Sequence, residues 1–182
     1  MNLFDLSGKT AVITGGNSGI GLAFARGLVK SGADVAIWAR NEAKNAAAVE
    51  ELNAFDGGSA AAFPCDVAEE EQIAAAMAST LDSFGKVDIC FANAGIGGGM
   101  ALPEMTAEAW DKVMAVNARG SALTYRYVTE HMVERGEGGK LIATSSGQSI
   151  MGVNRSSNYA ASKAAVNGLT RAAAFEQATK PA

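Results

Sequence analysis

Tyr159 and Lys163 stand four residues apart in a stretch, Ser156 to Ala178, that reads as a helix, so both side chains leave one face. Hydride transfer to a ketone needs a proton donor for the alkoxide that develops, and the reverse reaction needs a base for the alcohol. A free tyrosine titrates near ~10, and bringing it close to neutrality takes about 3 pKa units, or roughly 4 kcal/mol of preference for the phenolate. A lysine ammonium one turn away supplies a preference of that kind. Ser145 and Ser146 lie at the end of a predicted strand, where a hydroxyl can polarise a substrate oxygen. Tyr and Lys at this spacing are common by chance, so the pair alone selects no chemistry. Competing chemistries lack parts. A serine hydrolase needs an imidazole in the pocket, and the single histidine, His131, falls beside Glu130 and Glu134 on a helix face read as polar and solvated. Zinc needs clustered ligands, and Cys65, Cys90 and His131 match no metal-binding spacing. No metal is expected.

The elements that must position these groups alternate between strand and helix. Lys9 to Thr14 is a short apolar strand running into the turn Gly15-Gly16-Asn17-Ser18-Gly19-Ile20-Gly21. A helix follows, with Ile20, Phe24 and Leu28 as its packing face and Gly32 as its stop. Asp34 to Ala39 is the second strand, and Asn41 caps the next helix. Ser59 to Pro64 is a weak third strand. Ile73, Met77, Thr80, Leu81 and Phe84 form a helical stripe behind the acidic turn Glu69-Glu70-Glu71. Val87 to Ala92 is an apolar fourth strand, as expected where both faces of a sheet are covered. Two helices, about Ala107 to Val116 and Ala118 to Arg135, precede the fifth strand, Lys140 to Ser145. The alternation predicts a doubly wound parallel sheet in a three-layer α/β/α domain, one domain over residues 1–182.

A glycine-rich turn between a strand and a helix lets the backbone approach a pyrophosphate and offers it free N–H groups and the positive dipole end. With that context the candidate binding residues are Gly15, Asn17, Ser18, Gly19, Ile20 and Gly21. At the end of the second strand an acidic residue would bind the ribose hydroxyls of NAD, whereas an arginine accommodates a 2′-phosphate. Ala39-Arg40 stands there, which favours NADP over NAD. Neither Asn17 nor Ser18 adds a second basic group.

The glycine spacing, with Asn93-Ala94-Gly95 after the fourth strand, Asn117 in a helix, and Tyr159-x-x-x-Lys163 after Ser146, resembles the short-chain dehydrogenase/reductase family over essentially the whole chain. The resemblance implies a Rossmann fold and an oxidoreductase that moves hydride between NADP(H) and a carbonyl or secondary alcohol. It implies Tyr159 as acid/base, Lys163 as its partner, and Ser146, 13 residues before Tyr159, as the substrate-polarising serine. Asn117 would disturb its helix to hold a water that links Lys163 to solvent. Asp66-Val67 would contact adenine, and Asn93, Ala94 and Gly95 would border the cofactor. Relatives assemble through the helices corresponding to Ala118–Arg135 and Ser156–Ala178, so a homo-oligomer is expected. They also continue past the Tyr/Lys helix with two further strands and a substrate loop, whereas this sequence stops at Thr179-Lys180-Pro181-Ala182. On that ground the last strands are expected to be absent and the fifth strand to form a sheet edge. The oxidoreductase is then either a fragment of a longer enzyme or an unusually short one, and the alternative is a truncated, catalytically weak nucleotide-binding family member or fragment that acts only within an oligomer.

Bulk properties narrow the partners. Hydrophobic residues at 48% and charged residues at 19% are globular composition. Fifteen basic against 19 acidic side chains give −4, so no basic field draws in nucleic acid. Met1 to Lys9 carries no leader pattern, and no apolar run approaches the roughly 18 residues of a membrane span. Cys65 and Cys90 read as free core thiols in a cytoplasmic protein.

Overall fold

Successive side chains of a strand point to opposite faces, so a strand apolar throughout feeds two cores. That is how β1 (Thr10–Thr14) and β2 (Asp34–Trp38) are used in the computed structural model, which describes residues 4–178. Val12, Ala36 and Trp38 face one core, and Ala11, Ile13, Val35 and Ile37 the other. The remaining elements are α1 (Gly19–Lys30), α2 (Glu42–Asn53), β3 (Ala60–Phe63), α3 (Glu70–Phe84), β4 (Ile89–Ala92), α4 (Ala107–Met114), α5 (Gly120–Arg135), β5 (Lys140–Ala143) and α6 (Ser157–Ala178). All strands are parallel, in the order β3-β2-β1-β4-β5. Residues 1–3, within the segment read for a leader, and 179–182, read as the end of the chain, lie outside the described residues.

Helices α1 and α2 cover one face through Ala25, Val29, Ala48 and Leu52, while α3 and α5 cover the other through Ile73, Met77, Tyr125, Val128 and Met132. The polar edge of α3 is closed internally, where Trp38 Nε1 donates to Thr80 Oγ1 at 2.9 Å. Asn41 caps α2 as expected, its side chain accepting the Lys44 N–H. The order in which strands are added reverses at β1, with β2 on one side and β4 on the other, so the crevice beyond the carboxyl ends of β1 and β4 is where a ligand binds in such sheets.

Four expectations are corrected. The buried face of α1 is Gly21, Ala25 and Val29, one residue on from the predicted stripe, and Ile20 is 61% exposed. The start of α1 lies hard against the glycine turn, so the small residues face inward and Phe24 and Leu28 pack along the flank. The two helices separated at Asn117 are one continuous run, α4 passing into α5 through a π turn at Ala115–Arg119. His131 is half-buried, and its Nε2 accepts the Val87 N–H at 3.2 Å. The strands are also shorter than read, because Lys9, Ala39, Val87 and Thr144 lie outside the ladders.

Candidate functional site

The carboxyl ends of β1, β2, β4 and β5 open into a cleft of about 890 Å3. Its phosphate end is built by steric exclusion. Gly15 has φ +66° and lies against Ala94, while a Cβ on Gly21 would stand 2.3 Å from the Gly15 carbonyl oxygen and 2.7 Å from Asn93 Nδ2. No side chain fits there. Ser18, at the head of α1, makes no capping bond, and the first turn carries no acidic residue. Its N–H groups and the dipole end are therefore uncompensated from within, which suits an anion. Gly19 has φ +53° with open space around it. Asn17, half-buried in the cleft wall, donates to Asn45 Oδ1 at 2.8 Å, and Asn45 in turn donates to the Ala39 carbonyl at 2.8 Å. These residues fit a dinucleotide pyrophosphate.

Past the carboxyl ends of β2 and β3, Arg40 and Asp66 face each other. Arg40 Nη1 lies 3.3 Å from the Asp66 carboxylate, with the arginine side chain 66% exposed. Asp66 also accepts the Ala68 N–H, an Asx turn that leads toward α3. Asp66 and Val67 both line the cleft.

The chemical end is tied together by a hydroxyl and two amides. Thr14 Oγ1 accepts the N–H groups of Asn93 and Ala94, both at 2.9 Å, and Asn93 Nδ2 donates to the Thr14 carbonyl at 3.1 Å. Thr144 Oγ1 then donates to Asn93 Oδ1 at 3.0 Å, and Lys163 Nζ donates to the Thr144 carbonyl at 2.7 Å. The chain of bonds spans β1, β4, β5 and α6, and sequence reading missed Thr14 and Thr144 in it. A threonine at a strand end carries no distinctive signal; only the register of the sheet brings the two together.

Lys163 is buried, and burial pushes its ammonium below the ordinary lysine value. Its Nζ stands 5.7 Å from the Tyr159 ring centre, and both residues line the cleft. Asn117, wholly buried in the π turn, uses its side chain on Ile96, accepting the N–H at 2.8 Å and donating to the carbonyl at 3.0 Å. It also donates to Ser162, another residue that sequence reading passed over. The Asn117 main-chain carbonyl takes the Ser121 hydroxyl at 2.7 Å. Ser146 caps the turn Gly147–Ser149, its hydroxyl accepting the Gln148 N–H, while the Ser145 hydroxyl donates to the Lys163 carbonyl. Of the sequence candidates, Gly19, Asn117 and Ser146 stand behind or beside the cleft surface; the others form its wall.

A family model described as short chain dehydrogenase matches residues 9–181. The chain belongs to the short-chain dehydrogenase family. With that membership comes oxidoreductase chemistry with a nicotinamide nucleotide. Among relatives, the 2,5-dichloro-2,5-cyclohexadiene-1,4-diol dehydrogenase of Sphingobium indicum is 43% identical over 173 residues, 94% of this chain and 68% of that protein. The 5-keto-D-gluconate 5-reductase of Escherichia coli is 39% identical over 177 residues, 97% of this chain and 69% of that one. A crystal structure of a short-chain type dehydrogenase/reductase from Mycobacterium marinum superposes with a TM-score of 0.93 at 35% identity, covering 97% of this chain and 70% of that one. The chain thus spans about two thirds of the length of the short-chain dehydrogenases it matches. Among the described residues no helix is long and apolar enough to cross a membrane, and no group of acidic, histidine and cysteine side chains is arranged to hold a metal.

Proposed function

We propose that this short-chain dehydrogenase interconverts a secondary alcohol and a carbonyl compound with NADP(H), using Tyr159 as the acid/base group. The observation that carries the reading is the shared cleft: Tyr159 and Lys163 line the same 890 Å3 space as the glycine turn. When bound, the nicotinamide supplies the place the hydride leaves from or arrives at. Tyr159 Oη takes the alcohol proton in one direction and returns it in the other. The Lys163 ammonium stands 5.7 Å from the Tyr159 ring centre, placing a positive charge beside the proton-exchanging group. Burial works against that charge, and the Thr144 carbonyl, accepting at 2.7 Å, holds the lysine in place. Asn117 fixes both backbone polar groups of Ile96 from within the π turn, the place where a water linking Lys163 to solvent would be held. Ser146 polarises the substrate oxygen once its hydroxyl turns from the Gln148 amide.

Arg40 is the group for a 2′-phosphate, which would displace the Asp66 carboxylate as partner of its exposed guanidinium. Gly15, Asn17, Ser18, Gly19, Ile20 and Gly21 receive the pyrophosphate, Asp66 and Val67 border the adenine, and Asn93, Ala94 and Gly95 border the nicotinamide half. The substrate is a small molecule, and assembly runs through the outer faces of α5 and α6.

Tyr159→Phe tests the assignment. General acid/base catalysis contributes about 100- to 10,000-fold, so turnover should fall by at least that range with the cofactor Kd nearly unchanged. Retained turnover in the phenylalanine variant refutes it. Comparing KM for NADP and NAD tests Arg40; a clear preference for NAD removes the 2′-phosphate reading.

A further inference from the structure

We infer that Arg155 is a positioning residue that straps the loop Ile96 to Glu104 across the front of Tyr159 and so sets the wall of the substrate cavity. The inference rests on the reading of Tyr159 as the acid/base group. Arg155 has φ 57°, the one non-glycine residue with positive φ among the described residues. A Cβ disfavours that backbone, which persists where surrounding contacts over-determine it. Here the side chain makes those contacts. Arg155 Nε donates to the Gly99 carbonyl at 3.2 Å, and Nη2 reaches the Glu104 carboxylate at 3.4 Å.

By composition Gly97-Gly98-Gly99 is a flexible loop, yet the fold grips it at successive points. Asn117 holds both backbone polar groups of Ile96. Gly98 sits so close to α6 that a Cβ would lie 2.2 Å from Asn158 Oδ1 and 3.4 Å from Tyr159 Cβ. Asn158 is itself 2% exposed and donates to the Ala109 carbonyl of α4 at 3.3 Å. Past Gly98, the described hydrogen bonds that join this loop to the segment leading into α6 come from Arg155. A second cavity of about 550 Å3 lies between the two, with Gly97, Gly99 and Met100 on the loop side and Arg155 and Asn158 opposite. Loosening Arg155 would let the loop swing away from Tyr159 and change the shape of the space a substrate enters. The glycine turn that holds the cofactor is on other elements.

The test is hydrogen–deuterium exchange on the full chain and its Arg155→Ala, Arg155→Lys and Arg155→Gly variants. In R155A, amides of residues 97–105 should exchange about tenfold faster or more, a change of roughly 1.4 kcal/mol in local opening. Peptides from β1 and α1 should be unchanged, and R155K should restore most of the protection. R155G relieves the backbone, so it separates the two roles: faster loop exchange supports the strap, and wild-type protection overturns it. Glu104→Gln should act in the same direction as R155A, and the double variant should add little to either. With cyclohexane-1,4-diol and NADP as probes, R155A should raise KM more than it lowers kcat. Unchanged loop exchange in R155A, or an equal rise in every peptide, overturns the inference. Because exchange is read without turnover, failure of the catalytic assignment registers separately.

Discussion

Thr14 shows how much a single small hydroxyl can do. It is 2% exposed, and its Oγ1 receives two backbone amides that no strand partner serves, while donating to the Phe91 carbonyl at 3.4 Å. Each buried donor left without a partner costs about 1–3 kcal/mol, so Thr14→Val should lower unfolding free energy by roughly 2–4 kcal/mol in urea titration. Thr14→Ser keeps the oxygen and should lose much less; equal losses in both would refute the bonding role. Gly21 is constrained by the 2.3 Å approach to the Gly15 carbonyl. Gly21→Ala should weaken NADPH binding by at least about tenfold, or roughly 1.4 kcal/mol, with far-UV circular dichroism confirming the fold. Of the candidate site, the glycines and the Tyr159–Lys163 pair were legible from type and spacing, and Asn93 from the family resemblance. Thr144 and Ser162 were not, since their partners are distant in sequence. Family spacing favours Ser146 over Ser145, and the two hydroxyls take different partners, Ser145 the Lys163 carbonyl and Ser146 the Gln148 amide.

At the scale of elements, the run from α4 through the π turn to α5 places Asn117 against Ile96 at one end and His131 against Val87 at the other. His131 read as solvated because its sequence neighbours are Glu130 and Glu134, but the helix face it occupies packs on the entry to β4. Burial, and after it the nearby Arg135 cation, hold its imidazole below the ordinary histidine value. The unfolded chain therefore takes up this proton at higher pH than the folded one. Stability from this site is complete above about pH 6.5 and is lost as pH falls through the lower folded value. Protonation also removes the acceptor for the Val87 N–H. The urea midpoint should fall on acidification through that window, and His131→Gln should flatten the fall; a profile identical in both proteins would contradict the assignment. Asp88 acts in the same sense at lower pH. Burial pushes its carboxyl up, but the Thr10 amide and the Arg135, Lys86 and Lys9 cations outweigh that and hold it down. Its contribution disappears as pH drops below about 4.

On the scale of the whole molecule, one face of the sheet is covered by α1 and α2 over β1, β2 and β3, and Phe24 stacks on Phe91 at 4.9 Å where that cover ends. Strands β3 and β5 are the two sheet edges among the described residues, and Ile142 on β5 is 40% exposed. An apolar edge of this kind favours association. Light scattering should show a mass that rises with concentration; Ile142→Lys should reduce the rise if the edge carries it, and leave it unchanged if α5 and α6 do. Cofactor binding should also appear globally. NADPH at a hundred times its Kd should add about 2.7 kcal/mol to unfolding free energy. Absence of any shift with either NADPH or NADH would remove the dinucleotide reading. Cys65 and Cys90 are buried free thiols, their pKa values pushed up to about 12 by burial, so neither is a nucleophile here.

The sequence by itself determined the α/β class, the strand–glycine turn–helix unit and the pairing of Tyr159 with Lys163, because each is written in local periodicity, in short-range spacing or in steric demands that only glycine meets. Tertiary structure decided the rest. The face of α1, the continuity of α4 with α5, the burial of His131, the Thr14–Asn93–Thr144–Lys163 chain and the Arg155 strap all depend on which distant segments the parallel register brings side by side. Residues 78 or more apart become neighbours when β1 lies beside β4, and no local pattern records that adjacency.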